Sequence, residues 1–216
     1  SLGGAGDAAS LGDWRIGAYN RRLEKAVDGD DVSRRLVASG VVEVPVGRGR
    51  KFGSGMPRAL DLLAGGWQFN TVTTLQTGRP LAVRGSNNFT GINYPDLVAN
   101  PSLPSDQRGP NRWFNTDAFR NPANFVIGNA PRTLPSTRGP GLVDVSFSIF
   151  KTFSFMERFR LETRWEMFNA LNTVNYSMPN TSFSPNAQGV NTNANFGRIF
   201  SALEARRMQL GMRLTF

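Results

Sequence analysis

The chain has 216 residues, with 25 Lys and Arg against 16 Asp and Glu, a net charge of +9, and neither Cys nor His. Disulfide frameworks, thiolate or imidazole metal sites, cysteine nucleophiles and histidine-based triads are therefore excluded. Apolar residues make up 39% of the chain and no run approaches the roughly 18 needed for a membrane helix, whereas barrel strands need only about 10 alternating residues each and leave mean hydropathy low.

SLGGAGDAASLGDW, 1–14, lacks the charged and apolar blocks of a signal peptide, and 1–32 reads as an extracellular loop or linker. The first alternating segment, 33–46, sets Leu36, Ala38, Gly40, Val42, Val44 and Val46 against Arg35, Ser39 and Glu43, although Val37 and Val41 share the second face. Strand side chains point alternately to opposite faces, so this period of two predicts a strand with one apolar face. VGRGRKFG follows, and its Arg48, Arg50 and Lys51 are the nearest thing to a basic cluster. It has neither the GxxxxGK(S/T) nor the GxGxxG spacing of a phosphate loop and reads as a polar turn. PRALDLLAG, 57–65, offers a helical turn or two.

The second strand, 66–77, places Trp67, Phe69, Thr71, Thr73 and Leu75 opposite Gln68, Asn70, Thr74 and Gln76. After a long polar stretch, 78–141, the third strand, 142–155, sets Val143, Val145, Phe147, Ile149, Phe153 and Phe155 against Asp144, Ser146, Ser148 and Thr152. Lys151 interrupts that apolar face, as a long stem reaching for a polar boundary would. In the fourth, 158–168, Phe159, Leu161, Thr163, Trp165 and Met167 alternate with Arg158, Arg160, Glu162, Arg164 and Glu166. A helix would spread those five charges around its whole cylinder, so the strand is preferred. A second long stretch, 170–205, precedes the fifth strand, 206–216, where Met208, Leu210, Met212, Leu214 and Phe216 alternate with Arg207, Gln209, Gly211, Arg213 and Thr215. That ending resembles the assembly signal of bacterial outer-membrane β-barrels. Asn88, Asn175 and Asn180 stand in N-x-S/T sequons, which carry no message in a bacterial protein.

The expected fold is all-β, an antiparallel meander of about five long strands forming the C-terminal part of a transmembrane β-barrel with long extracellular loops. Barrels of this kind have short periplasmic turns and longer extracellular loops. With Phe216 on the periplasmic side, 1–32, 78–141 and 170–205 fall outside and the tight turn at 154–157 falls inside; 47–65 is long for a periplasmic turn. Trp67, Phe153, Phe155, Phe159 and Phe216 then gather at the periplasmic strand ends, as an interfacial aromatic girdle would.

YNRRLEKAVDGDDVSRRLVASGVVEVPVGRGRKF, GGWQFNTVTTLQTGRPLAV, RWFNTDAF, RGPGLVDVSFSIFKTFSFMERFRLETRWEMFNALNTVNY, FGRI and QLGMRLTF, in this order, resemble the C-terminal part of TonB-dependent receptors, most closely the Oar-like group in which a carboxypeptidase-regulatory-like domain precedes plug and barrel. The resemblance implies a plug-filled barrel of about 22 strands that imports a ligand across the outer membrane of a Gram-negative bacterium. Five strands cannot close such a wall, so the chain is expected to be a fragment, a partial gene product or one contributor to a multichain barrel.

Arg158, Arg160, Glu162, Arg164, Glu166, Arg207, Gln209 and Arg213 would face the lumen, either as cross-strand ion pairs on a wet surface or, more sharply, as contacts to the plug. Trp113, Phe114, Asn115 and Phe119 are the candidate ligand contacts, for a sugar or peptide, set against the reading in which RWFNTDAF is a recurring fold element on the rim. The implied partners are outer-membrane lipid and lipopolysaccharide, the barrel-assembly machinery, the remainder of barrel and plug, and TonB through the missing N-terminal part. No cofactor, metal, nucleic acid or enzymatic activity is expected. The alternatives are a secreted soluble β-sandwich, as an adhesin or carbohydrate-binding module, and a basic nucleic-acid-binding protein. The last is disfavoured because aromatic and basic residues lie on opposite strand faces rather than on one stacking surface.

Overall fold

The computed structural model describes residues 25–155 and 159–216. In chain order its elements are β1 (Arg35–Glu43), α1 (Arg58–Ala64), β2 (Trp67–Gln76), β3 (Pro80–Leu81), β4 (Asp96–Leu97), β5 (Phe119–Arg120), β6 (Leu134–Arg138), β7 (Leu142–Phe155), β8 (Phe159–Phe168) and β9 (Arg207–Thr215). They fall into two compact units: one built on 35–76, 142–175 and 204–216, the other on the described part of 1–34 with 77–141 and 176–203.

The first unit is one antiparallel sheet in the order β1-β2-β7-β8-β9. Its register keeps the period-two faces continuous from strand to strand. Val42 lies opposite Phe69, Phe69 opposite Ile149, Ile149 opposite Trp165 and Trp165 opposite Leu210. A one-residue slip would turn a whole strand over, so this agreement of five strands fixes the pairing. Gly66, at φ 71°, opens β2; a Cβ there would stand 2.5 Å from the Thr152 carbonyl oxygen, which leaves the position to glycine. Strands of 9 to 14 residues match the about 9–11 that a tilted strand needs to cross a bilayer.

Among the described residues the apolar rows lie open except at Lys151. All the fully buried apolar side chains among the described residues belong to the other unit, while Leu210 and Met212 of β9 are 82% and 80% exposed. A water-soluble sheet buries its apolar face against a second layer; this one presents it.

The other unit was expected to be loop and is instead a small packed body. Leu81, Val83, Phe114, Ala118, Phe119, Leu134, Phe183 and Phe196 form its core, with β3 paired to β6 and β4 to β5. Phe196 meets Phe114, Phe119 and Phe183 edge-on, with centroids 5.0, 5.6 and 5.9 Å apart. Such edge-to-face pairs add about 0.5–1.5 kcal/mol beyond area burial. Asp31 accepts from Arg138 at 2.6 Å, and the same guanidinium donates to the carbonyls of Asp31 and Gly78. The residues of this core are spread from 81 to 196 on two-residue strands and turns, so no periodicity announces them.

The first expected strand is shorter than its alternating pattern. β1 stops at Glu43, and Val44 and Val46 pass into a tight loop in which Gly47 N–H donates to the Phe52 carbonyl and Phe52 N–H to the Pro45 carbonyl, both at 2.9 Å. The expected helical turns at 57–65 are α1.

Candidate functional site

The polar face of β8 and β9 is a mixed-charge surface. Glu166 lies opposite Gln209 and accepts from its Nε2 at 2.5 Å, with Arg164 Nε 3.8 Å away. Glu162 is directly opposite Arg213, and Arg164 opposite Gly211. A Cβ at 211 would lie 2.6 Å from Arg164 Nε, so the missing side chain makes room for the guanidinium stem. Arg207, in register with Phe168, lies 5.1 Å over that ring and bridges to Glu204 at 3.2 Å. Arg160 shares the face, opposite Ser154 and Thr215, while Arg158 lies outside the described residues. The arginines Arg164 and Arg207 are exposed while Glu162 and Glu166 are half-buried, and ion pairs with a solvent-exposed partner are worth about 0–1 kcal/mol; they make a surface rather than a brace.

At the end carrying the β1–β2 and β7–β8 turns, here called the hairpin end, this face deepens into a cleft of about 350 Å³. Glu43, Gln68, Phe150, Thr152, Arg160 and Glu162 line it from the sheet, and Arg48, Arg50 and Asp61 from the turn above. Glu43 pairs with Arg50 at 3.2 Å, and Asp61 accepts from Arg48 N–H at 2.8 Å.

On the other face, Lys151 interrupts the apolar rows and is only 4% exposed. Its ammonium donates to the carbonyls of Leu63, at 3.1 Å, and Gly65, at the C-terminal end of α1. It also lies 5.0 Å from the Trp67 ring and 5.1 Å from Phe153. Trp67 Nε1 donates to the same Leu63 carbonyl at 2.9 Å. A helix C-terminus concentrates unpaired carbonyls and partial negative charge, which is what a cation stranded on an apolar face requires. The polar boundary anticipated for Lys151 is thus the end of α1.

The four residues proposed for ligand contact are placed differently. Phe114 and Phe119 are fully buried, at 0% exposure, and form the centre of the core described above. Trp113 is packed against that core and donates Nε1–H to the Arg138 carbonyl at 2.8 Å. Asn115 caps the short turn at Thr116–Ala118 and donates to the Asn100 carbonyl at 3.0 Å. RWFNTDAF is therefore a fold element, and the reading of its two phenylalanines as ligand contacts is corrected, because rings that fill a core have no face left for a ligand.

Two other rings do face out. Phe89 and Phe125 are 66% and 77% exposed, with centroids 5.9 Å apart. Both have left-handed backbones, φ 59° and 62°, a conformation that bulky residues rarely adopt. The buried Asn88 holds them: Phe125 N–H donates to its carbonyl at 2.6 Å and its Nδ2 to the Val126 carbonyl at 2.6 Å. Sequence reasoning passed over this pair because the rings lie 36 positions apart (125 − 89); the Asn-Phe step they share recurs at 195–196, where the ring is buried, so it singles out neither. Asn175 is also buried, clasping Val143 by donating to its carbonyl and accepting from its N–H, each at 2.9 Å.

Met208, Leu210, Met212 and Leu214 lie on the apolar face of β9, opposite Met167, Trp165, Thr163 and Leu161, and Phe216 follows, exposed. A single-layer antiparallel sheet with an outward apolar face and a charged opposite face is the wall of an outer-membrane β-barrel, in which lipid covers one face and the lumen the other. The chain matches the outer membrane beta barrel domain family over residues 3–209 and belongs to it, which places the protein in the outer membrane of Gram-negative bacteria. Comparison with curated proteins and with solved structures found no significant match.

Proposed function

We propose that these strands are part of the wall of a TonB-dependent receptor, with the charged face of β8 and β9 turned to a plug and the second unit forming extracellular loops that capture ligand. The observation that carries this reading is the hairpin-end cleft, in which carboxylates and guanidiniums of both sheet and turn converge on the lumen face. A water-filled pore has no need of such a recess, whereas a folded plug needs docking points of both signs. The sheet edges at β1 and β9 are open, so further strands, of the same polypeptide or another, must complete the wall, because unpaired edges in lipid leave backbone groups unsatisfied.

Ligand contact in this reading falls to Phe89 and Phe125. Their flanking segments, 85–92 and 121–129, contain no charged residue and five Asn, so the surface suits a neutral carbohydrate, with sugar C–H groups on the rings and amides at its rim. The test is the conductance of the whole protein in a planar bilayer. A plugged receptor stays closed until a denaturant loosens the plug; a steady open channel from the outset would sink the proposal.

A further inference from the structure

The turn between β1 and β2 is amphipathic in the opposite sense to a soluble protein. At 100° per residue, Ala59, Leu60, Leu63 and Ala64 of α1 share one arc, and Arg58, Asp61 and Leu62 the other. The protein holds the polar arc: Asp61 receives the Arg48 N–H and, with Leu62, lines the cleft. The apolar arc points away, with Leu60 54% and Leu63 71% exposed. Seven residues are too few to hold a helix on their own, and Lys151 and Trp67 clamp α1 by its C-terminal carbonyls. Both clamps arise from the apolar, lipid-facing side of the sheet. The loop ahead of the helix carries exposed Arg48, Arg50 and Lys51 with exposed Phe52, and Arg58 opens the helix, so 47–65 sets four cations against the single carboxylate of Asp61.

We infer that 47–65 is an interfacial anchor: α1 lies in the phospholipid leaflet at the hairpin end with Leu60 and Leu63 among the acyl chains, while Lys51 and Arg58 meet anionic phospholipid headgroups. The surface is continuous with the lipid-covered face of β2 and β7, which argues for lipid as its occupant rather than a protein. It also gives a task to a turn too long for a simple hairpin and to Lys51 and Arg58, which do not line the cleft. In-plane helices of this kind bury their apolar side about 5–10 Å into the headgroup boundary. The inference rests on the membrane reading of the sheet and on its hairpin end facing the periplasm, where the leaflet is phospholipid.

Because the chain has no Cys, Leu63→Cys and Leu60→Cys can each carry an environment-sensitive fluorophore. The whole protein would be reconstituted in phosphatidylethanolamine–phosphatidylglycerol vesicles holding nitroxide-labelled lipids of graded depth, with Leu210→Cys as the deep-wall reference and Gln188→Cys as the water reference. Labels at 60 and 63 should be quenched most by headgroup-level nitroxides and the label at 210 by deeper ones. Labels at 60 and 63 that behave like 188 while 210 is quenched would overturn the anchor alone; an unquenched 210 would overturn the membrane reading and the anchor with it. Replacing Lys51 and Arg58 by Gln, or phosphatidylglycerol by phosphatidylcholine, should weaken quenching at 63. Quenching indifferent to both changes would remove anionic lipid from the proposal.

Discussion

Single residues in this chain are decided by which medium their side chains meet. Lys151 stands on a face built for lipid, and its Nζ is satisfied by the Leu63 and Gly65 carbonyls. Lys151→Met keeps the stem and removes the donor, so the Gly65 carbonyl loses its partner and the Leu63 carbonyl keeps only the Trp67 Nε1–H. Hydrogen bonds to a charged group are worth about 1.5–3 kcal/mol, and urea unfolding of the whole protein in detergent micelles should show a loss of that order. An unchanged midpoint would mean that the clamp contributes nothing. The two kinds of phenylalanine make a sharper contrast. Phe114→Ala empties the core of the second unit and should cost about 3–5 kcal/mol. Phe89→Ser with Phe125→Ser removes two rings that face water, leaves folding intact, and should abolish retention on a neutral-oligosaccharide array. Composition placed both kinds on the same polar stretch; burial separates them, and burial here is settled by contacts between residues about eighty positions apart, such as Phe114 with Phe196, which no local pattern records.

Strands were the most legible elements, because the sheet has lipid on one side and polar surroundings on the other and so writes a period of two directly into the sequence. β7 spans Leu142–Phe155, the alternating range itself, and β8 and β9 differ from it by a residue at their ends. β1 is the least regular in both: Val37 and Val41 are exposed on the polar face while Leu36 and Val42 are exposed on the other. The second unit was illegible for the converse reason, since its strands β3, β4 and β5 have two residues each and its core is assembled from turns. The facing itself can be tested on β8. Thr163→Arg or Trp165→Arg puts a cation toward lipid at a cost of about 2–4 kcal/mol near the bilayer midplane, whereas Arg164→Gln merely trims a wet face. Folding into vesicles, followed by the heat-dependent shift of the folded band on a gel, should fall sharply for the first two and barely for the third. Equal tolerance would undo the assignment of faces.

For the whole molecule the open question is direction. Antiparallel order puts the connections after β1 and β7 at one end of the sheet and those after β2 and β8 at the other. Short turns face the periplasm and long connections the exterior in barrels of this class, and here three positions separate β7 from β8, against 65 residues between β2 and β7 (142 − 76 − 1). The exception, 47–65, ceases to be one if α1 is a leaflet anchor, because its length then serves the membrane rather than a loop. Direction is readable on intact cells, since a membrane-impermeant maleimide reaches only what lies outside. In the whole protein, Gln188→Cys, at the exposed tip of the turn closed by Gly189 N–H to the Asn186 carbonyl, should label at once. Ser54→Cys, exposed in the turn before α1, should label only after the outer membrane is permeabilised. The reverse pattern would turn the sheet over, move Phe89 and Phe125 to the periplasm, and set the basic turn against lipopolysaccharide instead of phospholipid.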